Sequence, residues 1–187
     1  MIDQINNILF WTCLFVLLWN AYFLLFNKGV PNLRSSKAIR AQVVEKFIDE
    51  AKILNKDSMI IYDIGCGYGH ITRDMARALP QAIIIGIEIN IISYTRAILT
   101  SKILGIKNTR YIRKNFHDVD LSDADGLYMF LLGSLMEQIR GKLEKDLKKG
   151  TLIISNKFQI NGKWKPIKTL NINTLAPSQK TVYIYRK

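Results

Sequence analysis

A run of β-prone apolar residues leads straight into three closely spaced glycines and then into a helical pattern. The stretch reads I-I-Y-D-I-G-C-G-Y-G-H-I and contains Gly65, Gly67 and Gly69. Glycine adopts left-handed backbone conformations at little cost and lets a ligand approach main chain that a Cβ would shield. The helix that follows offers N–H groups that have no partner within the helix. This order of strand, glycine turn and helix predicts a cofactor loop at the edge of a parallel sheet.

The chain beyond this loop alternates short β-rich runs with amphipathic helical stretches. Helices are predicted near His70 to Leu79, Ile91 to Leu104 and Ser134 to Leu147, and another over Ala38 to Leu54 precedes the first strand. The predicted strands are M-I-I-Y-D-I, A-I-I-I-G-I-E, T-R-Y-I-R, G-L-Y-M-F-L-L, T-L-I-I-S-N, K-W-K-P-I-K-T-L and T-V-Y-I-Y-R. This alternation predicts an α/β fold with a Rossmann-like, seven-stranded, mostly parallel sheet and helices on both faces. No helix separates the last two strands, so one of them is expected to be antiparallel.

Two carboxylates accompany the glycines. Glu88 ends the next predicted strand, about 20 residues beyond the loop, where a carboxylate accepts hydrogen bonds from ribose hydroxyls. Asp63 lies just before the first glycine. The dinucleotide fingerprint asks for Gly or Ala where this chain has His70, and it does not ask for an acid at Asp63. S-adenosylmethionine carries an amino group and a sulfonium but no pyrophosphate, so the two carboxylates favour it over a dinucleotide.

The motifs D-I-G-C-G-Y-G and G-I-E-I-N together resemble the first two motifs of class I S-adenosylmethionine-dependent methyltransferases. The resemblance implies that Asp63, Gly65 and Gly67 border the methionine part of the cofactor and that Glu88 holds its ribose. The residue after the third strand often contacts adenine in this class; here that position corresponds to Asn115, with Asp118 as the alternative. The residues expected to bind the cofactor are Asp63, Gly65, Cys66, Gly67, Tyr68, Gly69, Glu88, Ile89, Asn115 and Phe116.

Further segments narrow this resemblance. V-P-x-x-R-S-S, L-S-D-A-D, K-L-E-x-D-L-K-K-G-T and V-Y-I-Y-R are similar to segments of the small family of membrane-anchored protein-lysine methyltransferases. That family includes the mitochondrial enzymes that act on the ATP synthase c subunit and on the adenine nucleotide translocase. The similarity covers about residues 29 to 187. It implies an enzyme that transfers methyl groups to a lysine side chain of a membrane-associated protein.

An apolar run without formal charge extends from Ile8 to Phe26. As a helix rising about 1.5 Å per residue, it comes close to the roughly 30 Å of a bilayer core. The alternatives are a helix buried in a protein interface and a cleaved signal peptide. Residues 1–7 disfavour the signal peptide because they contain Asp3 and no Lys or Arg, and no small-x-small cleavage site follows the run. The predicted domains are a membrane anchor at 1–27, a linker with a helix at 28–58 and a methyltransferase domain at 59–187.

Basic residues follow the apolar run and dominate the whole chain. Lys28, Arg34, Lys37 and Arg40 come soon after it, so the positive-inside tendency predicts a single-pass protein whose catalytic domain faces the cytoplasm or the mitochondrial matrix. The formal net charge is +12, which favours anionic surfaces. Anionic lipid explains this charge more simply than nucleic acid in a chain that carries a membrane helix. The expected partners are therefore a membrane and a protein substrate.

The sequence does not identify a catalytic base. A lysine amine attacks the methyl group only in its neutral form, and catalysis rests mainly on holding the reactants in line. His117, Tyr68, Tyr94 and Asn156 could face the pocket, but each also has an ordinary structural role. The fourth strand is followed by F-L-L-G-S-L-M, whereas enzymes that methylate adenine or glutamine amides usually have N/D-P-P-Y/F there.

The two cysteines and two histidines are too few and too scattered for a zinc site, and Cys13 and Cys66 are not placed for a disulfide. No metal cofactor is therefore expected. Two other functions remain open at this point. One is methyl transfer to a membrane lipid or quinone. The other is a non-catalytic S-adenosylmethionine-binding factor that assists assembly of a membrane complex.

Overall fold

The computed structural model of the chain describes residues 2–27, 34–56, 58–160, 162, 164–174 and 180–187. The chain divides into two compact units, Met1–Asn32 and Leu33–Lys187. The first unit contains one long helix. The second contains a mixed sheet with helices, and it contributes every residue of the candidate site.

The helix of the first unit, α1, covers Ile2–Asn27. Its segment Gln4–Tyr22 has a mean hydropathy of 1.3 and is not buried, so by length and composition it is a candidate membrane span. The side chains of Thr12 and Asn20 each donate a hydrogen bond of 2.8 Å to the backbone carbonyl one turn earlier. These bonds satisfy polar side chains on the helix itself.

Within the described residues, the second unit contains four α-helices, one short 3-10 turn and seven strands. The helices are α2 (Lys37–Leu54), α3 (His70–Ala78), α4 (Ile91–Ile103) and α5 (Gly133–Asp146), and the 3-10 turn covers Phe116–Asp118. The strands are β1 (Ile60–Ile64), β2 (Ile83–Ile87), β3 (Thr109–Ile112), β4 (Gly126–Met129), β5 (Leu152–Asn156), β6 (Lys168–Asn171) and β7 (Thr181–Arg186).

The strands form one sheet in the order β3-β2-β1-β4-β5-β7-β6. Strands β1 to β5 are parallel, and β7 runs antiparallel to both β5 and β6. The predicted Rossmann-like sheet with one antiparallel strand is thus confirmed. From β1 the chain continues to β2 and β3 on one side and returns to β4 on the other. A crevice forms at the carboxyl ends of strands where the order reverses in this way.

Helices α2 and α3 cover one face of the sheet. Helix α2 begins after Ser36, whose hydroxyl accepts a 3.3 Å hydrogen bond from the N–H of Ile39. The helix buries Ile39, Val43 and Phe47 in the core. Phe47 lies so close to β4 that a Cβ at Gly126 would be 2.5 Å from its ring. The glycine therefore allows this close contact between helix and sheet.

Helix α5 covers the opposite face. It buries Met136, Ile139 and Leu143, which join a cluster that includes Leu127 of β4 and Ile153 of β5. Apolar side chains thus point to both faces of the central strands, as expected of a parallel sheet covered on two sides.

Helix α4 packs through small side chains. Ser93, Ala97 and Ser101 form its buried side. The hydroxyls of Ser101 and Tyr111 are 2.8 Å apart, which ties α4 to the edge strand β3. Small residues at these positions bring the helix close to β3 and to the glycine loop.

The structure describes residues 164–170 of the strand predicted over 163–170, and among these the strand begins later than expected and extends one residue further. Strand β6 covers Lys168–Asn171. Proline has no N–H to donate to a strand ladder, and Pro166 lies two residues before β6 begins. The first ladder-like bond after it joins the N–H of Ile167 to the carbonyl of Ile184 at 2.8 Å.

Candidate functional site

The glycine loop joins β1 to α3 in a conformation that favours glycine. Gly65, Gly67 and Gly69 have φ angles of +73°, +54° and +69°, in the left-handed region. The amides of Gly65 and Cys66 both donate to the carbonyl of Ile87, at 2.9 and 3.0 Å. These bonds fix the loop across the carboxyl ends of β1 and β2.

Close neighbouring atoms, as well as the backbone conformation, favour glycine at these loop positions. A Cβ at Gly69 would lie 2.6 Å from the hydroxyl of Tyr111 and 3.1 Å from the Cβ of Ala97. A Cβ at Gly65 would lie 3.0 Å from Cδ2 of Leu131. The glycines therefore keep the loop in contact with α4, β3 and the segment after β4.

Glu88 stabilises the loop from the end of β2. One of its carboxylate oxygens accepts a 2.9 Å hydrogen bond from the N–H of Gly67, and the other accepts a 2.8 Å bond from the N–H of Asn90. Each carboxylate oxygen can accept a further bond. Glu88 thus fixes the loop and can still accept hydrogen bonds from a ligand. It lies at the end of β2, as the sequence predicts.

Asp63 lies in β1 and is only 1% exposed. The hydroxyl of Thr72 donates a 2.5 Å hydrogen bond to Oδ2 of Asp63. Burial, together with the nearby charge of Glu88, raises the pKa of Asp63 to about 7, although the bond from Thr72 opposes this rise. A cationic ligand would favour the ionised carboxylate and lower that pKa again.

Cys66 is buried within the loop. Its Sγ is 2.8 Å from the position that a Cβ at Gly86 would take. Burial and the charges of Asp63 and Glu88 raise the pKa of the Cys66 thiol, so it is protonated and unsuited to nucleophilic attack. Gly86 is a lone glycine inside a strand, which is a recognised sign of close approach.

Two arginines contact Tyr68, which lies between the second and third glycines of the loop. The guanidinium of Arg96 lies over the ring of Tyr68, 4.4 Å from its centroid. Nη1 of Arg73 donates a 2.7 Å bond to the carbonyl of Tyr68. Arg73 was not identified from the sequence, because it acts on the loop through a contact and not through a motif.

The remaining predicted residues lie beyond the ends of β2 and β3. Ile89 directly follows Glu88 and is 47% exposed. The side-chain oxygen of Asn115 accepts a 3.1 Å bond from the N–H of His117, which caps the 3-10 turn. Phe116 packs against the core cluster on the α5 face, and its ring centroid is 4.1 Å from that of His117. Asn115 therefore has a structural role here, and its contact with adenine stays a prediction.

His70 opens α3 beside a group of arginines. Its Nδ1 is 3.2 Å from Nη2 of Arg34 and 3.4 Å from Nη2 of Arg73. A guanidinium only donates, so Nδ1 must be the acceptor and the ring proton must be on Nε2. Burial, and after it the charges of Arg34, Arg73 and Arg40, lower the pKa of His70 to about 4. His70 is therefore neutral at physiological pH.

A buried polar network lies at the carboxyl ends of β4 and β5. The hydroxyls of Ser35 and Tyr128 are 2.7 Å apart, and Nδ2 of Asn156 donates a 3.2 Å bond to the hydroxyl of Ser35. All three residues are buried. Oδ1 of Asn156 has no hydrogen-bond partner among the described residues. Exchanging the amide oxygen and nitrogen would leave a buried donor unpaired instead.

An unpaired buried acceptor costs about 1–3 kcal/mol, so it needs an explanation. Asn156 ends β5, and β4 alone separates that strand from β1. The free amide oxygen is therefore on the edge of the sheet that carries the glycine loop. A ligand N–H or O–H group would satisfy this oxygen only after neighbouring side chains move, because Asn156 is 0% exposed.

Sequence comparison relates the chain to enzymes of known chemistry. Residues 63–168 match the model of the ANTKMT methyltransferase domain. Over 145 residues the chain is 35% identical to a protein-lysine N-methyltransferase of Saccharolobus islandicus strain REY15A, and the match covers 77% of this chain and 88% of the relative. The domain match contains the glycine loop, Glu88 and Asn156.

Solved structures share the fold. An RNA methyltransferase from Salinibacter ruber, in complex with S-adenosyl-L-homocysteine, superposes with a TM-score of 0.68 and 26% identity, covering 82% of this chain and 93% of that protein. A precorrin-6y C5,15-methyltransferase from Geobacter metallireducens superposes with a TM-score of 0.57 and 15% identity, covering 83% and 90%. The second likeness concerns the fold alone.

Proposed function

The chain belongs to the ANTKMT methyltransferase family, and from this premise we propose that it methylates a lysine side chain of a protein that lies in or at a membrane. It is an S-adenosylmethionine-dependent methyltransferase of the protein-lysine methyltransferase group. S-adenosylmethionine is its cofactor, in agreement with the Salinibacter relative bound to the demethylated product.

The site at the carboxyl ends of β1 and β2 fits this cofactor. The carboxylates of Asp63 and Glu88 suit a ligand that carries positive charge and ribose hydroxyls and has no phosphate. Gly65, the exposed glycine of the loop, leaves backbone accessible to a ligand where a side chain would cover it. We assign to cofactor binding Asp63, Gly65, Cys66, Gly67, Tyr68, Gly69, Glu88 and Ile89, with Asn115 and Phe116 toward the adenine.

When bound, the cofactor supplies a methyl group on a cationic sulfur for displacement by a neutral amine. Free lysine has a pKa of about 10.4, so the protein must bind the amine in its minority form. Burial disfavours the charged ammonium and so favours the neutral amine. Oδ1 of Asn156 offers a buried acceptor for one amine N–H. Such a bond orients the nitrogen and leaves its lone pair available for attack.

The observation that supports a membrane substrate is the candidate span in α1, Gln4–Tyr22. Nine residues, 28–36, connect α1 to α2. Nine residues reach at most about 30 Å when fully extended. A catalytic unit on so short a connection meets substrates that share its bilayer far more often than substrates elsewhere.

We further propose a single-pass topology with residues 28–187 on the cytoplasmic or matrix side. Arg34, Lys37 and Arg40 follow α1 closely, and positive residues near a span favour that side. The two cysteines, Cys13 and Cys66, are both free, which agrees with a reducing compartment. A C-terminal reporter active on the opposite side of the membrane would refute this topology.

Transfer of a labelled methyl group tests the function. Membranes from cells that lack the gene are incubated with full-length protein and tritiated S-adenosylmethionine, and the Gly65→Val variant serves as the inactive control. We expect label in protein that a protease releases and that acid hydrolysis converts to methyl-lysine. Label in the organic extract would instead identify a lipid or quinone methyltransferase. Cofactor binding without labelling of any fraction would identify a non-catalytic assembly factor.

A further inference from the structure

Helix α4 exposes a stripe of large aliphatic side chains. The helix buries small residues such as Ala97 and Ser101, whereas Ile92, Leu99 and Ile103 are 37%, 54% and 83% exposed. At about 100° per residue, these three positions fall within about 40° of one another around the helix and extend about 16 Å along it. Arg96 lies between Ile92 and Leu99 along the helix and borders this row. Exposed apolar side chains grouped in this way mark an interaction surface.

Cations surround this stripe, and acids are absent from the whole segment. Residues 89–117 contain no Asp or Glu. Their basic residues, all exposed, are Arg96, Lys102, Lys107, Arg110, Arg113 and Lys114. Viewed down the helix axis, Arg96 lies beside Ile103 at one edge of the stripe, and Lys102 lies beside Leu99 at the other edge.

We propose that α4 and the residues that follow it dock on the surface of an anionic phospholipid bilayer. Ile92, Leu99 and Ile103 enter the boundary between headgroups and acyl chains. The exposed cations of the segment other than Arg96, which contacts Tyr68, bind lipid phosphates. An aliphatic row with cations on both sides is typical of helices that lie in a membrane interface.

Two other occupants fit this surface less well. Single-stranded nucleic acid binds cations too, but it stacks its bases on aromatic rings, and the exposed row is aliphatic. A second copy of the chain would bring two strongly cationic surfaces together, which is electrostatically unfavourable.

Docking of α4 would orient the catalytic unit relative to lipid, beyond what α1 achieves by tethering it. Helix α4 begins directly after its cap, Asn90, whose N–H binds Glu88. The cofactor site is therefore connected to the docking helix at its first turn. This inference rests on one part of the proposed function, namely that α1 brings the catalytic unit to a bilayer.

Site-directed fluorescence in vesicles tests the docking. Full-length protein with Cys13→Ser carries a quenchable fluorophore at Leu99→Cys, while buried Cys66 stays unlabelled. The control carries the label at Gln138→Cys, which is exposed on α5. Vesicles contain phosphatidylcholine alone or with phosphatidylserine, and both contain acyl-chain nitroxide lipid.

We expect strong quenching at Leu99 in the phosphatidylserine vesicles, weaker quenching in phosphatidylcholine, and none at Gln138 in either. Equal quenching at the two positions, or no quenching at Leu99 with phosphatidylserine, would overturn the proposal.

Charge reversal provides a matched comparison. Lys102→Glu with Lys107→Glu should weaken docking of the Leu99 label about tenfold. Lys145→Glu with Lys149→Glu makes the same change in net charge on and after α5 and should leave docking nearly unchanged. Cofactor binding by calorimetry should be normal in both double variants. Equal loss of docking in the two would show a general charge effect and contradict a specific surface.

Two further outcomes separate the competing explanations. An RNA oligonucleotide that shields the Leu99 label as well as phosphatidylserine vesicles do would overturn the lipid assignment, as would efficient disulfide cross-linking of two unlabelled Leu99→Cys chains in detergent. If alkali strips the protein from vesicles while Leu99 is still quenched at neutral pH, the result would contradict a membrane span in α1 and would support docking of α4.

Discussion

Gly65 and Gly69 have nearly the same backbone angle but different neighbours, so their substitution separates conformational strain from crowding. Gly105, with φ +65° and no atom within 4 Å of an added Cβ, is a matched control. The left-handed conformation alone costs an alanine about 1–2 kcal/mol. We expect Gly105→Ala to lose about that amount, and Gly69→Ala to lose about 1–3 kcal/mol more through overpacking against Tyr111.

Urea unfolding would measure these changes, with Gly65→Ala falling between the two because the leucine methyl near it can move. Calorimetry should show that Gly65→Ala and Gly69→Ala bind S-adenosylmethionine more weakly, whereas Gly105→Ala binds it normally. Equal losses of stability in all three variants would mean that the close contacts do not restrict the loop.

Asp63 should make cofactor affinity depend on pH. Its pKa is raised from 3.8 to about 7 in the folded protein. Between these values the folded chain holds a proton that the unfolded chain releases, so this contribution to stability is present at low pH and is lost as pH rises toward 7. Cofactor binding has the opposite dependence, because the cation favours the ionised carboxylate.

Affinity for S-adenosylmethionine should therefore increase with pH below 7, by at most about tenfold per pH unit from this group. Calorimetry in buffers of different ionisation enthalpy should detect proton release at pH 6. The difference between the parent and Asp63→Asn isolates the effect of Asp63 from that of other groups. An unchanged pH dependence in Asp63→Asn would contradict the assignment.

Asn156 is expected to act on the substrate amine, and Ser35 tests whether its role is only structural. Asn156→Leu removes the amide oxygen, and we expect kcat to fall about tenfold to a hundredfold with little change in the KM for cofactor. Ser35→Ala removes the bond that holds the amide nitrogen and leaves the amide oxygen in place. It should lower stability more than kcat. Equal losses of kcat in the two variants would assign Asn156 a structural role alone.

A partly buried ion pair connects α2 to β7 across 136 positions of sequence. Both guanidinium nitrogens of Arg186 donate to the carboxylate of Glu50, at 2.7 and 2.8 Å. Glu50 is 2% exposed, whereas the Arg186 side chain is 36% exposed. The two partners should therefore respond differently to removal.

Arg186→Met leaves a buried carboxylate without its partner and should destabilise the fold by about 3 kcal/mol. Glu50→Gln leaves a guanidinium that can turn to solvent, and we expect a loss of about 1 kcal/mol. Thermal or urea unfolding of both variants would compare them. A larger loss for Glu50→Gln would mean that burial of the carboxylate does not determine the energy of this pair.

The elements that could be predicted depend on local signals. The glycines, Asp63 and Glu88 mark the ends of β1 and β2 through spacing and residue type alone, and the alternation of β-rich and amphipathic stretches predicts the sheet. The parallel strands follow because both of their faces must be covered, which makes their sequences continuously apolar.

The contacts that were missed depend on sheet order. Ser35 lies 93 positions from Tyr128 and 121 positions from Asn156, and they meet only because β4 and β5 are neighbours. Thr72 reaches Asp63 because α3 starts above the end of β1. The periodicity of a segment cannot reveal which distant side chain will pair with it.

At the scale of the whole molecule, we expect the first unit to bring the enzyme to its substrate and the second unit to carry out catalysis. Deletion of residues 1–27 should leave cofactor affinity unchanged, because all the assigned cofactor residues lie in Leu33–Lys187. Methylation of a lysine in a membrane protein, in its own bilayer, should fall by about a hundredfold, because confinement to one membrane no longer raises the local concentration.

Label incorporation at matched low enzyme concentration would measure this fall. A purified fragment of the same substrate, free in solution, is the control and should be methylated equally by both forms. If the truncated enzyme labelled the membrane protein as fast as the full chain, α1 would have no part in substrate encounter.

The position of β7 also sets an order in time. β7 follows β6 in the chain yet lies between β5 and β6 in the sheet. β6 therefore cannot join the sheet until β7 has been synthesised and has paired with β5. Helix α1 leaves the ribosome before any strand. At about 5–20 residues per second, roughly ten to thirty seconds separate the synthesis of α1 from that of β7. If α1 spans a bilayer as proposed, the chain is inserted during that interval while its catalytic unit is incomplete, and a ribosome stalled before residue 181 would leave an inactive chain in the membrane.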